Sequence, residues 1–319
     1  MEQYVSSFDG TRLYSIHHPG TKPLTLFFLH GVGGNWTIWK KEIEFFKSKG
    51  YPILTQDLRG HGKSEYPKEF KGYSLPHFTK DIKVLLNSHN IENFALIGHS
   101  LGGSIGITYC VQNENPYPKS LILIESAAHY PFKHDRILNY NPYITHIVRF
   151  ISEHTHIKTT YFPDLIDIDL SNLNLKTKFN FLRYLLHSAP IKAIVDTLDN
   201  VEKFVHKNQK KVDWTLQNLK IPTLLIAGDN DHTVPLEYSK YIKNLNKNAE
   251  FRIVKDDHHK VTSEHPKEVC DILYRFVENK LQIMSPQTQN HQQAHLQNKA
   301  KSKPLKKLTD MNRKKKITN

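Results

Sequence analysis

The sequence GHSLGG at residues 98–103 directly follows the apolar run Phe94–Ile97. A serine hydroxyl becomes an effective nucleophile when a sharp turn exposes it beside a base and beside backbone N–H donors. Such a turn leaves almost no room for flanking side chains, and the glycines of this segment meet that requirement. The strand-like run, the motif and the helix-like residues after it therefore predict a nucleophile elbow with Ser100 as its nucleophile.

A serine nucleophile also needs a base, and an acid that orients the base. Candidate acids lie at two strand ends: Asp229 and Asp231 follow the apolar run Thr223–Ala227, and Glu125 follows the run Leu121–Ile124. A carboxylate just past a strand end is well placed to reach the rim of a sheet. Asp229 also suits a purely turn-forming or capping role, because aspartate directly after a turn glycine is common.

The candidate bases, His258 and His259, follow the next strand-like run, Phe251–Val254. Both come after the candidate acids Asp229 and Asp231 in the chain. The order serine, acid, histidine that a strand-borne elbow requires is therefore available.

A glycine-rich loop, HGVGG at residues 30–34, follows the apolar run Leu24–Leu29. Such a loop leaves backbone N–H groups unpaired and free to face an anion. We therefore expect the N–H groups of Val32 and Leu101 to form an oxyanion hole.

Together these segments resemble the α/β-hydrolase family. The resemblance extends over about residues 24 to 280, and beside the histidine segment it rests on four motifs: HGVGG at 30–34, DLRGHGKS at 57–64, GHSLGG at 98–103, and GDND with VP within 228–235. It implies the α/β-hydrolase fold, with a mostly parallel central sheet, helices on both faces and a helical cap insertion. Five further elbow and loop positions follow from it: His30, Gly31, Gly98, His99 and Gly102.

The family patterns also choose among the candidate acids and bases. The pattern G-x-x-D-x-x-V-P selects Asp231, while some similar hydrolases draw their acid from the region of Glu125. The family places a glutamate and a proline after its histidine at the spacing of Glu264 and Pro266, which selects His259. His258 then stands where the family usually has glycine.

The segment DLRGHGKS at residues 57–64 is interpreted as structural. Asp57 and Arg59 are expected to pair and fix the loop. His61 precedes the nucleophile in the chain, so we do not assign it as the base.

Strand-like runs alternate with helical periodicity through most of the chain, which predicts a parallel sheet covered on both faces. The parallel strands read as continuous apolar runs, as burial on both faces requires. Five helices are predicted: Trp36–Lys49, Leu75–His89, Leu101–Asn113, Leu236–Leu245 and Pro266–Lys280.

The alternation stops between residues 127 and 212, where helical periodicity takes over, as at Ile191, Ile194, Val195 and Leu198. We therefore predict a core of residues 1–126 and 213–282 and a helical cap at residues 127–212. Its apolar side chains are candidates for lining an acyl pocket, although each also suits an ordinary cap core: Tyr130, Phe132, Tyr161, Phe162 and Phe181.

Residues 283–319 are predicted to form a disordered basic tail. Nine of the chain's 44 lysines and arginines lie there against a single acid, Asp310, so the tail carries most of the net charge of +13. A weak contact with an anionic membrane is one interpretation. A solvated tail without a specific partner is favoured, and no specific nucleic acid is expected.

Several further classes are excluded by the composition. Met1–Ser7 have no basic-then-apolar leader pattern, and no apolar run approaches the ~18 residues of a membrane span. The only cysteines, Cys110 and Cys270, fit no CxxC pattern and indicate reduced core residues of a cytoplasmic protein. Neither metal-ligand spacing nor a phosphate-binding loop is present, so no metal and no cofactor is predicted.

The resemblance implies a serine hydrolase that cleaves a carboxylic ester, lipid-like or another acyl ester, through an acyl-enzyme, with a small-molecule ester as its substrate. Thioesterases, peptidases, acyltransferases and C–C hydrolases use the same triad and remain alternatives, as does a non-catalytic ligand-binding protein on this fold. Serine at the elbow argues against epoxide hydrolases and haloalkane dehalogenases, whose similar elbows carry aspartate.

Overall fold

The computed structural model describes residues 1–129 and 191–284, except for the side chains of 191, 192 and 280–284. The predicted cap therefore lies outside the described residues except at its two ends, and the predicted tail does so almost entirely. The chain divides into two compact units, Met1–Tyr274 and Arg275–Asn319. Of the second unit, only the helical residues 275–284 are described.

A single eight-stranded sheet forms the centre of the first unit, in the order β1-β2-β4-β3-β5-β6-β7-β8. The strands β1 and β2 form an antiparallel hairpin, β2 pairs antiparallel with β4, and all other pairs are parallel. Their bounds are Glu2–Ser6, Arg12–His18, Thr25–Leu29, Ile53–Gln56, Phe94–His99, Ser120–Ile124, Thr223–Gly228 and Glu250–Val254 for β1 to β8.

Seven α-helices lie among the described residues, together with short 3-10 helices at Trp36–Trp39 and Phe70–Tyr73. Their bounds are Lys40–Ser48, Leu75–Ser88, Leu101–Gln112, Ile191–Asn218, Leu236–Leu245, Val261–Glu264 and Pro266–Met284 for α1 to α7. Within the parts of the chain that are described, no helix is both long and apolar enough to cross a bilayer.

The strands β3 to β7 are buried along their whole length, as parallel strands covered on both faces require, whereas β1 and β8 at the two edges are partly exposed. Leu29, Leu96 and Phe78 belong to one cluster of buried side chains between the sheet and its helices. On the other side, the ring of Phe28 lies 5.0 Å from Trp39 and 6.4 Å from Phe46 between ring centroids. The predicted α/β architecture is confirmed.

The register of the parallel strands gathers their carboxyl ends at one edge. Leu29 pairs with Gly98, His99 with Ile124, and Gly228 with Val254. The loops that follow β3, β5, β6, β7 and β8 therefore begin side by side, where open α/β sheets bind their ligands.

Each predicted strand and helix that lies in the described residues is present, with bounds that differ by a few residues at most. The second strand of the amino-terminal hairpin, Arg12–His18, was not predicted. Leu13 to Ile16 are all buried, so the strand has no alternation of polar and apolar residues to mark it. Cys110 and Cys270 are buried free thiols, as expected.

The expected pairing of Arg59 with Asp57 is wrong. Arg59 is fully buried and binds Asp81 on α2 with two nitrogens, at 2.6 and 2.5 Å, and Asp9 at 2.8 Å. Asp57 instead accepts backbone N–H groups of Trp36 and Lys63, both at 2.8 Å. A guanidinium is a fork of five donors, so it satisfies acids on separate elements better than one on its own tight turn.

Candidate active site

Ser100 stands on a sharp turn between β5 and α3. Its φ of +52° lies in the region that non-glycine residues rarely adopt, and its N–H donates to the carbonyl of Ile124 at 2.9 Å. Strain of this kind is typical of functional turns.

The glycines around Ser100 are required by close contacts rather than by turn preference alone. A Cβ at Gly98 would overlap the backbone of Gly102, and one at Gly102 would overlap the carbonyl of Leu29. At Gly103 it would overlap the side chain of Ser126. The turn is therefore packed against both neighbouring strands, with no space for side chains at these positions.

Ser100, Asp231 and His259 are brought together by three separate loops. The Oγ of Ser100 lies 3.1 Å from Nε2 of His259, and Nδ1 of His259 lies 2.7 Å from Oδ2 of Asp231. The side chains of His259 and Asp231 are both largely buried. With a proton on Nδ1, the imidazole donates to Asp231 and accepts from Ser100.

The rival acid and base are placed elsewhere. His258 is exposed, and its ring pairs with the amide of Asn230 at 2.7 Å. Asp229 is also exposed and accepts the N–H of Asp256 at 2.8 Å, which joins the loops after β7 and β8. Neither rival forms a hydrogen bond with Ser100.

Asp231 is held by its own loop. Its Oδ1 accepts the backbone N–H groups of Thr233 and Val234, each at 2.8 Å, which leaves Oδ2 for His259. The carboxylate is buried, and its three hydrogen-bond donors satisfy both of its oxygens.

The N–H groups expected to form the oxyanion hole are available. Within residues 1–129 and 191–284, the N–H groups of Val32 and Leu101 donate to no other group. Leu101 is the first residue of α3, so its N–H also lies at the positive end of a helix dipole. A Cβ on Gly31 would lie 3.1 Å from Cβ of Ser100, which shows how closely the two loops approach.

His30 fixes the direction of the Val32 N–H. Its Nδ1 donates to the carbonyl of Gly31 at 2.7 Å, and its Nε2 accepts the N–H of Leu58 at 2.9 Å. The Gly31 carbonyl and the Val32 N–H belong to one trans peptide plane and point in opposite directions, so holding the first orients the second. Burial lowers the pKa of His30 to about 3, so its ring stays neutral and keeps one donor nitrogen and one acceptor nitrogen.

His61 lies beside this structure but not at the nucleophile. It is fully buried, its Nδ1 pairs with the carbonyl of Arg59 at 3.0 Å, and its ring lies 5.4 Å from that of His30. Burial lowers the pKa of His61 to about 4. Its position agrees with the structural role expected for this loop.

A second set of polar side chains lies beneath His259. Glu125, at the end of β6, accepts a hydrogen bond from Nε2 of His99 at 2.9 Å, and burial raises the pKa of Glu125 well above its usual range. Asp257 is fully buried and accepts the N–H of His259 at 3.3 Å. No role for Asp257 follows from the sequence, where its only signal is a carboxylate directly before two histidines.

Two groups of side chains have donor atoms close enough to hold a metal ion. Among the described residues these are His99 with Glu125 and His259, and Asp257 with Glu264 and His265. The first group is the one that already forms the hydrogen bonds around His259. The aromatic residues suggested for an acyl pocket, Tyr130 to Phe181, lie outside the described residues.

Comparisons with known proteins show similarity to the alpha/beta hydrolase fold. The family model of the alpha/beta hydrolase fold matches residues 25–145. Protein ABHD8 of Mus musculus is 24% identical over 281 residues, which covers 86% of this chain and 58% of that protein. Epoxide hydrolase 3 of Xenopus tropicalis is 24% identical over 302 residues, covering 86% and 77%.

A solved structure superposes on this chain with a TM-score of 0.69. It comes from work on carboxylesterases of Nitrososphaera gargenis. The two share 23% sequence identity, over 88% of this chain and 99% of that one. At this identity the superposition shows the fold. The chain also spans little more than half the length of its ABHD8 relative, so the activity of that whole protein is not carried over.

Proposed function

We propose that this chain, which belongs to the α/β-hydrolase fold family, is a serine hydrolase that cleaves a carboxylic ester through an acyl-enzyme. The observation that carries the proposal is the continuous set of hydrogen bonds from Asp231 through His259 to Ser100. The N–H groups of Val32 and Leu101, which donate to no other group among the described residues, support it.

In the acylation step, Oγ of Ser100 attacks the ester carbonyl carbon while Nε2 of His259 takes the hydroxyl proton. Asp231 stabilises the imidazolium that forms and keeps Nδ1 protonated. His259 then donates the proton from Nε2 to the leaving alcohol oxygen as the C–O bond breaks. Because Asp231 keeps three donors throughout, it does not itself need to take up the proton.

The carbonyl oxygen becomes negatively charged as the tetrahedral intermediate forms. The N–H groups of Val32 and Leu101 are expected to donate to this oxyanion. Since His30 already fixes the peptide of Val32, and α3 fixes that of Leu101, little reorganisation is needed in the transition state. Removing one such donor typically costs about 100- to 1000-fold in kcat.

Water completes the cycle. His259 deprotonates it, the resulting hydroxide attacks the acyl carbon, and Ser100 leaves with the proton from His259. The product is a carboxylic acid, and the enzyme returns to its initial protonation state without a cofactor.

Epoxide opening is disfavoured by the nucleophile, although one relative is named an epoxide hydrolase. Attack of a serine oxygen on an epoxide carbon would give an ether, and the water that hydrolyses an acyl-enzyme does not hydrolyse an ether. A carboxylate nucleophile would give an ester, which water does hydrolyse, but this elbow carries Ser100. Thioesters, amides and C–C bonds next to a carbonyl are compatible with the same residues, and the ester is proposed as the least demanding substrate.

The test is hydrolysis of p-nitrophenyl esters with acyl chains from acetyl to palmitoyl, comparing wild type with Ser100→Ala. We expect a maximum at one chain length and loss of activity in S100A. If the wild type hydrolyses none of these esters, or if S100A retains the activity, ester cleavage at Ser100 is wrong. A cytoplasmic location and a weak contact of the basic tail with an anionic membrane are further proposals.

A further inference from the structure

Glu125 is a buried carboxyl group, and no cation pairs with it in the part of the chain that is described. It is 1% exposed, and its described partners are two neutral donors on Oε2: His99 at 2.9 Å and the N–H of Val261 at 3.4 Å. The pKa of His99 is held well below its usual range by burial and by neighbouring histidines, so its ring is neutral. A buried carboxylate without a compensating charge is expensive, and it takes up a proton instead.

Asp257 is the group that can accept this proton in a hydrogen bond. Each carboxyl has one satisfied oxygen and one buried oxygen without a partner among the described residues: Oε1 of Glu125 and Oδ1 of Asp257. The neighbouring carboxyl of Asp257 adds to burial in raising the pKa of Glu125. One proton on Oε1, donated to Oδ1, satisfies both unpaired oxygens.

The pair contacts the backbone on both sides of the base. Asp257 accepts the N–H of His259, and Glu125 accepts the N–H of Val261. His259 has a φ of +76°, a left-handed conformation that costs a non-glycine residue about 1–2 kcal/mol. No glycine lies between Lys255 and Lys260, and His258 occupies the position where the resembled family usually has glycine.

We propose that Glu125 and Asp257 share one proton and that this carboxyl pair holds the loop of residues 257–261 in the conformation that aims His259 at Ser100. The two acids are thus positioning residues for the base, and Glu125 is not an alternative to Asp231 as the acid that contacts it. The inference rests on the proposed function only for its consequence in catalysis; the protonation of Glu125 does not depend on it.

The titratable groups that face Glu125 come from one strand and two loops. They are His99 on β5, Asp231 after β7, and Asp257 and His259 after β8. An imidazole nitrogen of His259 lies within 4.8 Å of a Glu125 oxygen. If Glu125 were ionised, replacing it with a neutral residue would lower the pKa of His259 by about one unit or more.

The experiment compares Glu125→Gln with Glu125→Ala, and uses the exposed Glu44→Gln as the matched control. Glutamine reproduces the protonated acid, since its amide donates to Asp257 and its carbonyl accepts from His99 and Val261. The pKa of His259 is measured by NMR titration of its imidazole, and kcat and KM by ester hydrolysis.

We expect E125Q to leave the pKa of His259 within about 0.3 units of wild type and kcat within about threefold. E125A should lower kcat by about tenfold or more with little change in KM. A fall of one unit in the pKa of His259 in E125Q, or an equal loss of kcat in both variants, would overturn the shared proton. Because the titration needs no substrate, it decides the proposal even if the enzyme hydrolyses no ester, which would count against the proposed function alone.

Discussion

Replacing Asp231 with asparagine changes the proton on His259 rather than the shape of the site. Oδ1 is fixed by the N–H groups of Thr233 and Val234, which need an acceptor. The asparagine oxygen must therefore occupy that place, and its NH₂ group must face Nδ1 of His259 in place of Oδ2. An NH₂ group donates, so Nδ1 must accept and the imidazole proton moves to Nε2.

With a proton on Nε2, His259 cannot accept the hydroxyl proton of Ser100 across the 3.1 Å between them. The variant also loses the negative charge 2.7 Å from the imidazole, so the imidazolium formed during the reaction is no longer stabilised. An equivalent loss in a serine–histidine–aspartate site lowers kcat by about 10⁴-fold, or about 5.5 kcal/mol in the barrier. KM should change little, since neither group binds the ground-state ester.

The assay is steady-state hydrolysis of the best p-nitrophenyl ester at pH 7.5, with Asp229→Asn as the matched control. In D229N the asparagine oxygen can still accept the N–H of Asp256, so kcat should stay within about threefold of wild type. Thermal melts of both variants check that the fold is retained. A D231N enzyme within tenfold of wild type, or a D229N enzyme as impaired as D231N, would refute the assignment of the acid.

Three further predictions concern stability and are measured by urea unfolding. Burial raises the pKa of Glu42 from 4.5 to about 8, so the stability that protonated Glu42 gives the wild-type protein is complete below about pH 4.5 and is lost as the pH rises to about 8. The difference in the free energy of unfolding between Glu42→Gln and wild type should therefore grow in favour of the variant by about 4 kcal/mol between these two pH values. A difference that stays constant with pH would contradict this prediction. Arg59→Met should cost about 3–5 kcal/mol because Asp81 is left as an unpaired buried charge, and an unchanged midpoint would show that the pair contributes nothing. Gly103→Ala should cost about 1–3 kcal/mol through overlap with Ser126, and the double variant G103A/S126G should recover most of it; failure to recover would place the strain elsewhere.

The main features of the fold and the site could be predicted because they depend on local patterns. Continuous apolar runs identified the parallel strands, and their carboxyl ends carry the motifs that the register then gathers at one edge of the sheet. The resemblance to the family, whose glutamate and proline after the histidine match Glu264 and Pro266, implied His259 rather than His258, and the structure places His259 beside Ser100.

The features that were missed depend on contacts between distant segments. Arg59 reaches Asp81 on another element, and no local pattern distinguishes that acid from the nearer Asp57. The pairing of Glu125 with Asp257 joins residues 132 positions apart, and it exists only because β6 and the loop after β8 meet at the same edge of the sheet. Burial and hydrogen bonding decide such pairs, and neither can be read from residue types alone.

The central claim is that Ser100 is a nucleophile activated by His259, and reaction with a fluorophosphonate tests it most directly because it needs no knowledge of the substrate. We expect mass spectrometry of the digested wild-type protein to find one adduct, on Ser100, with no adduct in Ser100→Ala. His259→Gln should slow the labelling by about 1000-fold or more, since the hydroxyl then has no base. Labelling of another residue, or labelling of Ser100 at an unchanged rate in H259Q, would contradict the account.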